Sequence, residues 1–447
     1  MSENSAEIQK LIDEAANRPL PAYPTIWNNT LAEFLEGGHD FLEIFLRLLR
    51  PLFSKESRPD PLPHYDRLLR LDPRYKQAYL GRAGSYYAKK EYRQAIVDYT
   101  IYLRLVPEDS DAYYWRAQAR EKLGDNQGAI QDYSEALRII PHLQFARIKR
   151  ASCFIREQNY DAALEDISIG LQYDKSDAGA YNLKGAIFRL KGDKEGALEA
   201  FNKAIQLDAR YMSPRIGKAT LYYQNEDYER AIAEYADILK REPQNSLAYE
   251  GRGLTYFALK DYNLAIRDFT EAIRLDPRNP LAYSNRGLAY ENQNDLETAM
   301  ADFTQSLTLD PQNIITLFNR GNLSIRRKQF EQAIGDYTSV IQIDPNSATA
   351  YTNRGEVFFE LGNRVKAKED FLKAREIDPQ SPYAIAGLAL TLHADGQVDE
   401  ANSLWELLLK EDSNYNDAEW VKTKLNWTDA LVEEAQKLIT QKQINND

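Results

Sequence analysis

The chain has 447 residues, with 56 Lys plus Arg against 68 Asp plus Glu and a formal net charge of −12 at pH 7. An acidic balance argues against general nucleic-acid binding, which needs a basic face to release phosphate counterions. The one cysteine, Cys153, excludes an intrachain disulfide and fits a reducing compartment.

The N-terminal stretch MSENSAEIQKLIDEAANR has no basic start followed by an apolar run. No stretch reaches the apolar length of a spanning helix, so the expected location is cytoplasmic. Residues 5–17 read as a short helix closed by Arg18-Pro19-Leu20-Pro21, and a second runs from Thr25 or Asn29 to Leu35. The most apolar segment, FLEIFLRLLRPLF at 41–53, reads as an N-terminal cap over the first repeating unit. Its amphipathic pattern with Arg47 and Arg50 also fits a membrane-surface helix, the alternative reading. Three prolines make 54–63 an extended connector, and HYDRLLRLDP at 64–73 matches a second helix lacking its first.

A 34-residue period begins at 76. In its clearest unit, 246–279, Tyr249, Gly253 and Tyr256 share one face of a first helix, and Lys260-Asp261-Tyr262 is a polar break. Ala265, Phe269, Ala272 and Ile273 line a second helix, which Asp276-Pro277 stops. Gly253 opposite Ala265 and Ala272 is expected to let the two backbones approach closely. The second-helix alanine recurs every 34 residues from Ala95 to Ala435, and the proline recurs except at Lys175, Ala209 and Ser413. Ten units follow: 76–109, 110–143, 144–177, 178–211, 212–245, 246–279, 280–313, 314–347, 348–381 and 382–415. Arg147 and Arg215 replace the first-helix tyrosine, so the third to fifth units are the least regular. After them come Trp420, Trp427 and a last helix from Thr428 to about Lys442, with Thr428 as cap and Leu431, Ala435 and Leu438 as the apolar face.

The period and its Tyr-Gly-Tyr, Ala-Phe-Ala and Pro pattern resemble the tetratricopeptide repeat (TPR) over about 76–415. The resemblance implies an all-α, right-handed superhelical solenoid of about ten helix hairpins. Its divisions are an N-terminal cap and connector (1–63), a degenerate half-repeat (64–75), ten repeats (76–415) and C-terminal capping helices (416–447). The repeat style is similar to bacterial, particularly cyanobacterial, proteins, some of which help assemble photosynthetic complexes.

No motif for chemistry emerges. His39, His64, His142 and His393 are scattered, and no phosphate loop, calcium loop or HExxH appears, so neither an enzyme nor a metal or other cofactor is expected. Two columns carry information. Arg82, Arg116, Arg150, Lys184, Lys218, Arg252, Arg286, Arg320 and Arg354 track Asp98, Asp132, Asp166, Glu199, Glu234, Asp268, Asp302, Asp336 and Asp370. These read as an internal ion-pair ladder rather than a basic stripe for an acidic ligand.

Asn285, Asn319 and Asn353 form the other column, directly before three of these bases. In the similar repeats of O-linked N-acetylglucosamine transferases and importins, asparagines in this slot line the inner groove and bond a peptide backbone. A carboxamide suits that task, since it both donates and accepts. The carboxylate clamp of chaperone adaptors finds only Asn322 and Asn353 here, with Phe318, Tyr383 and Gly387 in place of its basic residues. By the same resemblance the N-terminal half of the groove carries Tyr114, Trp115, Phe145, Lys149, Arg156, Arg189 and Tyr223. The C-terminal half carries Phe257, Glu291, Phe318, Asn322, Glu356, Phe359 and Glu360.

The expected function is a non-enzymatic scaffold, adaptor or assembly factor that binds an extended segment of another protein in a concave groove. The alternatives are a regulatory subunit acting through its end caps, and membrane attachment through 41–53.

Overall fold

The computed structural model describes residues 60–425 and 427–446. The expected elements at 5–17, 25–35 and 41–53 lie outside the described residues. Among the described residues there are 23 α-helices, one 3-10 turn and no strand.

Helix α1 (Leu62–Leu71) begins two residues earlier than the half-repeat read from sequence. Pro63 sits in its first turn, where a missing amide donor costs nothing, so this proline starts the helix rather than extending the connector. Then come α2 (Lys76–Ala88) with α3 (Tyr92–Leu105), α4 (Ser110–Lys122) with α5 (Asn126–Ile139), and α6 (Gln144–Arg156) with α7 (Tyr160–Tyr173). Next are α8 (Ala178–Leu190) with α9 (Lys194–Leu207), α10 (Ser213–Gln224) with α11 (Tyr228–Arg241), and α12 (Ser246–Ala258) with α13 (Tyr262–Leu275). They continue as α14 (Pro280–Asn292) with α15 (Leu296–Leu309), and α16 (Ile314–Arg326) with α17 (Phe330–Ile343). The last hairpins are α18 (Ala348–Glu360) with α19 (Arg364–Ile377) and α20 (Pro382–Ala394) with α21 (Val398–Glu411). A 3-10 turn (Ser413–Asn416), α22 (Ala418–Lys424) and α23 (Asp429–Asn446) complete the chain.

The contacts define two compact units, one through Leu221 and one from Tyr222, the division falling within α10. In the first unit α2 packs on α3, α3 on α4, and so on through neighbouring helices; the second repeats the scheme. The core is accordingly a series of small clusters, such as Ala265–Phe269–Ala289 and Ala272–Ile273–Ala282, as expected where each repeat leans on its neighbours. Every alanine of the 34-residue column, Ala95 through Ala435, is 0% exposed, so the column lies wholly inside the helix packing.

The small residue of the first helix has a different purpose from the one its spacing implied. A Cβ on Gly253 would lie 2.8 Å from the Phe269 ring, and on Gly287 2.8 Å from that of Phe303. The glycine seats the second helix's aromatic ring, where a direct approach of backbones was expected.

The break between the paired helices is a defined turn. One residue per hairpin takes a positive φ: Lys90, Gly124, Gln158, Gly192, Glu226, Lys260, Asn294, Lys328, Gly362 and Gly396. After α12, Lys260 N–H donates to Phe257 C=O and Asp261 N–H to Tyr256 C=O, the pair of bonds that closes a helix through a left-handed residue. Asp261 then caps α13 by accepting from Leu264 N–H at 3.2 Å. Two consecutive residues therefore end one helix and begin the next.

Candidate protein-binding groove

The ladder forms and is denser than its spacing implied. Seven arginines, 82, 116, 150, 252, 286, 320 and 354, each donate Nε and Nη2 to the two oxygens of the aspartate 16 residues on. The aspartates are buried. Most of these arginines also reach back to the preceding repeat: Arg116 Nη1 donates to Thr100, Arg150 to Ser134, Arg286 to Thr270 and Arg354 to Thr338, at 2.9–3.1 Å. Each of these four rungs thus ties together two helices of one repeat and a helix of the last. The signal was present as a hydroxyl at 100, 134, 168, 270, 304 and 338, with Asp66, Asn202 and Ala236 in the same slot elsewhere.

Repeat four departs from the ladder. Lys184 places its ammonium 5.6 Å over the Phe188 ring, while Glu199 is exposed one position away from the aspartate slot. A lysine has no planar fork to span two oxygens, and the acid is out of register. In repeat three Arg147, the tyrosine replacement, is 9% exposed, donates to Pro141 C=O and lies 3.5 Å from Asp166, so it joins the rung. The seven arginines of the basic column are spent on their own aspartates, which leaves no continuous basic stripe along these helices.

With the bases withdrawn, the first helices present aromatic and amide side chains. In the first unit Tyr114 meets Trp115, Tyr133 and Phe145 at ring distances of 5.5, 5.7 and 5.0 Å, and Trp115 meets Tyr87 at 5.5 Å. Tyr114, Trp115 and Phe145 are therefore brought together, and Lys149 is exposed on the same helix as Phe145. Arg156 instead pairs with Glu121 at 2.8 Å, so part of its charge is spent within the chain. Arg189 lies partly buried on α8.

In the second unit Tyr223 packs against Tyr228 and Phe257 against Tyr262, each a first-helix ring on the opening residue of its second helix. Phe318 lies 6.0 Å from Tyr337. The asparagine column is not uniform. Asn285 has no hydrogen-bond partner among the described residues, and the Asn319 Nδ2 is buried without one. Asn353 Nδ2 donates to Asn322 Oδ1 at 3.4 Å, and Asn322 Oδ1 also accepts from Tyr337 at 2.7 Å. Asn353 and Asn322 are thus engaged with their own chain, Asn319 keeps its Nδ2 buried, and Asn285 alone of the expected ladder of three stays open.

Phe359 is not available as a groove residue, because it is 6% exposed within the C-terminal cluster. Its cover is α23. That helix packs on α18 and α20, the first helices of the last two repeats. Glu356 Oε1 accepts from Thr428 N–H at 2.6 Å, and Glu360 Oε2 from Ala430 N–H at 2.8 Å. The cap of α23 is therefore supplied by α18, while the Thr428 hydroxyl, the cap expected from sequence, is buried without a partner. Leu431, Ala435 and Leu438 are buried as their spacing required.

Electrostatics follow from this cover. Burial pushes the Glu356 carboxyl up to about 7, with the Thr428 amide opposing and Glu360 adding to the rise. His393 Nδ1 lies 2.6 Å from Glu434 and Nε2 lies 2.9 Å from Gln441, so one ring spans two turns of α23. Burial disfavours the charge on Glu434, but hydrogen bonds from His393 and Lys437 outweigh it and hold the carboxyl below its ordinary value. Among the described residues no group of His, Cys, Asp and Glu is arranged to hold a metal ion, and no helix is long and apolar enough to cross a membrane.

Tetratricopeptide repeat profiles match residues 85–143, 149–211, 216–266, 280–313 and 348–381, and a TPR repeat profile matches 253–294 and 321–362. The chain belongs to the tetratricopeptide repeat family. Among solved structures it is similar to YrrB, described as a TPR protein with an unusual peptide-binding site, at 26% identity and TM-score 0.37 over 44% of this chain and 98% of that one. A tetratricopeptide repeat protein from Parabacteroides merdae is 20% identical with TM-score 0.41, covering 56% of this chain and 98% of its own. Yeast Tom70 is 20% identical with TM-score 0.38, covering 86% and 93%. No curated protein matches.

Proposed function

We propose that this chain is a non-enzymatic scaffold, acting as an adaptor or assembly factor, whose repeats at 76–415 hold an extended segment of a partner protein along their first helices. Membership of the family makes the chain a protein–protein interaction scaffold. What supports the peptide-binding reading is Asn285, a carboxamide without a hydrogen-bond partner among the described residues, followed at the same position of the next repeat by Asn319, whose buried Nδ2 is unpaired until the side chain turns outward. An extended chain leaving water needs its amides satisfied, and each unpaired one costs about 1–3 kcal/mol. Carboxamides serve that need irrespective of the ligand's side chains. Trp115 and Lys149 would then discriminate among ligand side chains in the first unit.

The test begins with peptide display against the full-length chain, which supplies ligands. Asn285→Ala with Asn319→Ala should weaken the selected peptides roughly 10–100-fold, whatever their sequence, with little change in thermal stability. Asn353→Ala should have a smaller effect, since that side chain is already bonded to Asn322. Unaltered affinity in the double variant would overturn the reading.

A further inference from the structure

We propose that the first-helix face of the last two repeats is a helix-binding site, that α23 is its resident and detachable occupant, and that an amphipathic helix of a partner protein competes for it. The observation is positional. Elsewhere in this unit each second helix packs on the first helix that follows it, α13 on α14 and α19 on α20. Helix α23 instead lies across α18 and α20, the first helices of two repeats.

The face that receives it is built for a helix end. The first turn of any helix leaves amide donors without intrahelical partners and carries partial positive charge. Glu356 and Glu360, one turn apart on α18, accept two of these donors directly. Without that occupant, two carboxylates would stand side by side on one face. Other helices of this chain cap themselves: Asp261 caps α13 and Asp295 caps α15. Helix α23 brings no such cap, since the Thr428 hydroxyl has no partner, and the receiving face supplies it.

Two further features read the body of the helix. Leu431, Ala435, Leu438 and Ile439 bury against a cluster that includes Phe359 and Leu392. His393 then engages Glu434 and Gln441, seven residues apart. The ligand so defined is an α-helix with an uncapped first turn, apolar residues at i, i+4, i+7 and i+8, and hydrogen-bonding groups at i+3 and i+10. The site is separate from Asn285 and Asn319, so either reading can fail alone.

The experiment uses the full chain with Leu431→Asp and Leu438→Asp, which expels its own helix and leaves Glu356, Glu360 and His393 intact. The probe is a labelled synthetic peptide of residues 427–446. A tethered occupant has an effective concentration on the order of millimolar, so the unaltered protein should bind the peptide poorly. The released variant should bind it saturably and at least tenfold more tightly. Adding Glu356→Ala and Glu360→Ala, which removes both acceptors whatever their charge, should weaken that binding by roughly tenfold. Absence of saturable binding to a released variant that keeps its helical circular dichroism overturns the proposal. If the variant loses its helicity, hydrogen exchange on the unaltered protein decides. Amides of α23 opening independently of α20 and α21 support a detachable occupant, whereas exchange through one common opening overturns it.

Discussion

Replacing Arg286 with alanine removes the donor of a rung whose geometry fixes the expected cost. Arg286 Nε and Nη2 each donate to Asp302 at 2.8 Å, and the aspartate side chain is 7% exposed. The variant leaves a buried carboxylate with neither charge nor donors to balance it, a loss of about 2–4 kcal/mol. Asp302→Ala should cost less, about 1–2 kcal/mol, because the long arginine can turn its head to solvent. The double variant removes the orphaned carboxylate as well and should cost no more than Arg286→Ala alone, giving a coupling of at least about 1–2 kcal/mol. Thr270→Val probes the link to the preceding repeat and should cost about 0.5–1 kcal/mol.

Long repeat arrays need not unfold in one step, so the assay is hydrogen exchange of amides in α14 and α15, with urea unfolding beside it. Repeat four provides an internal comparison. Lys184→Ala loses only a cation over the Phe188 ring, and should cost less than about 1 kcal/mol. Single effects at Arg286 and Asp302 that add to within about 0.5 kcal/mol would refute the pairing argument.

Lys260 holds a left-handed conformation at φ 62° that glycine adopts freely. Lys260→Gly should therefore stabilise repeat six by about 0.5–1 kcal/mol in urea unfolding, and a loss would show that the side chain does something else there. The docking of α23 should depend on pH through Glu356. Its carboxyl titrates at about 7 when covered, above the 4.5 of a free glutamate. The covered state therefore binds the proton more tightly; this contribution is full below 4.5 and lost as pH rises through 7. Glu434 acts in another window, its contribution being present above 4.5 and lost as pH falls through its lowered value. Exchange of α23 amides, corrected for intrinsic rates, should quicken relative to α20 between pH 6 and 8. Glu356→Gln should flatten that dependence, and an equal slope in the variant would remove Glu356 as its cause.

How much of this was legible in the sequence depends on the range of each interaction. The hairpins were legible because alanine, aromatic and proline recur at a fixed period, and one repeat's chemistry is every repeat's chemistry. The ladder was legible for the same reason, since Arg286 and Asp302 lie 16 residues apart in a register that never slips. Its hydroxyl partners follow the same period with gaps at Asp66, Asn202 and Ala236, and Thr and Ser in helices carry so many uses that the column at Thr100, Ser134 and Thr270 did not stand out. The turn was hidden by substitution: four glycines mark it, but Lys90, Gln158, Glu226, Lys260, Asn294 and Lys328 occupy the same conformation, held there by the hydrogen bonds of the turn. The docking of α23 was not legible, because it is aperiodic: the resemblance put Glu356, Phe359 and Glu360 in a groove and the spacing gave the last helix its apolar face, but nothing joined the two. Thr428 meets Glu356 across 72 residues, and Glu434 meets His393 across 41. Read alone, Glu356 and Glu360 were two acids on a helix face and His393 an isolated histidine. Only a fold that returns its last helix to the face of repeats nine and ten gives the three a common task. Where a repeat protein breaks its own period, the break is where a local pattern stops being informative and where tertiary contact can build something new.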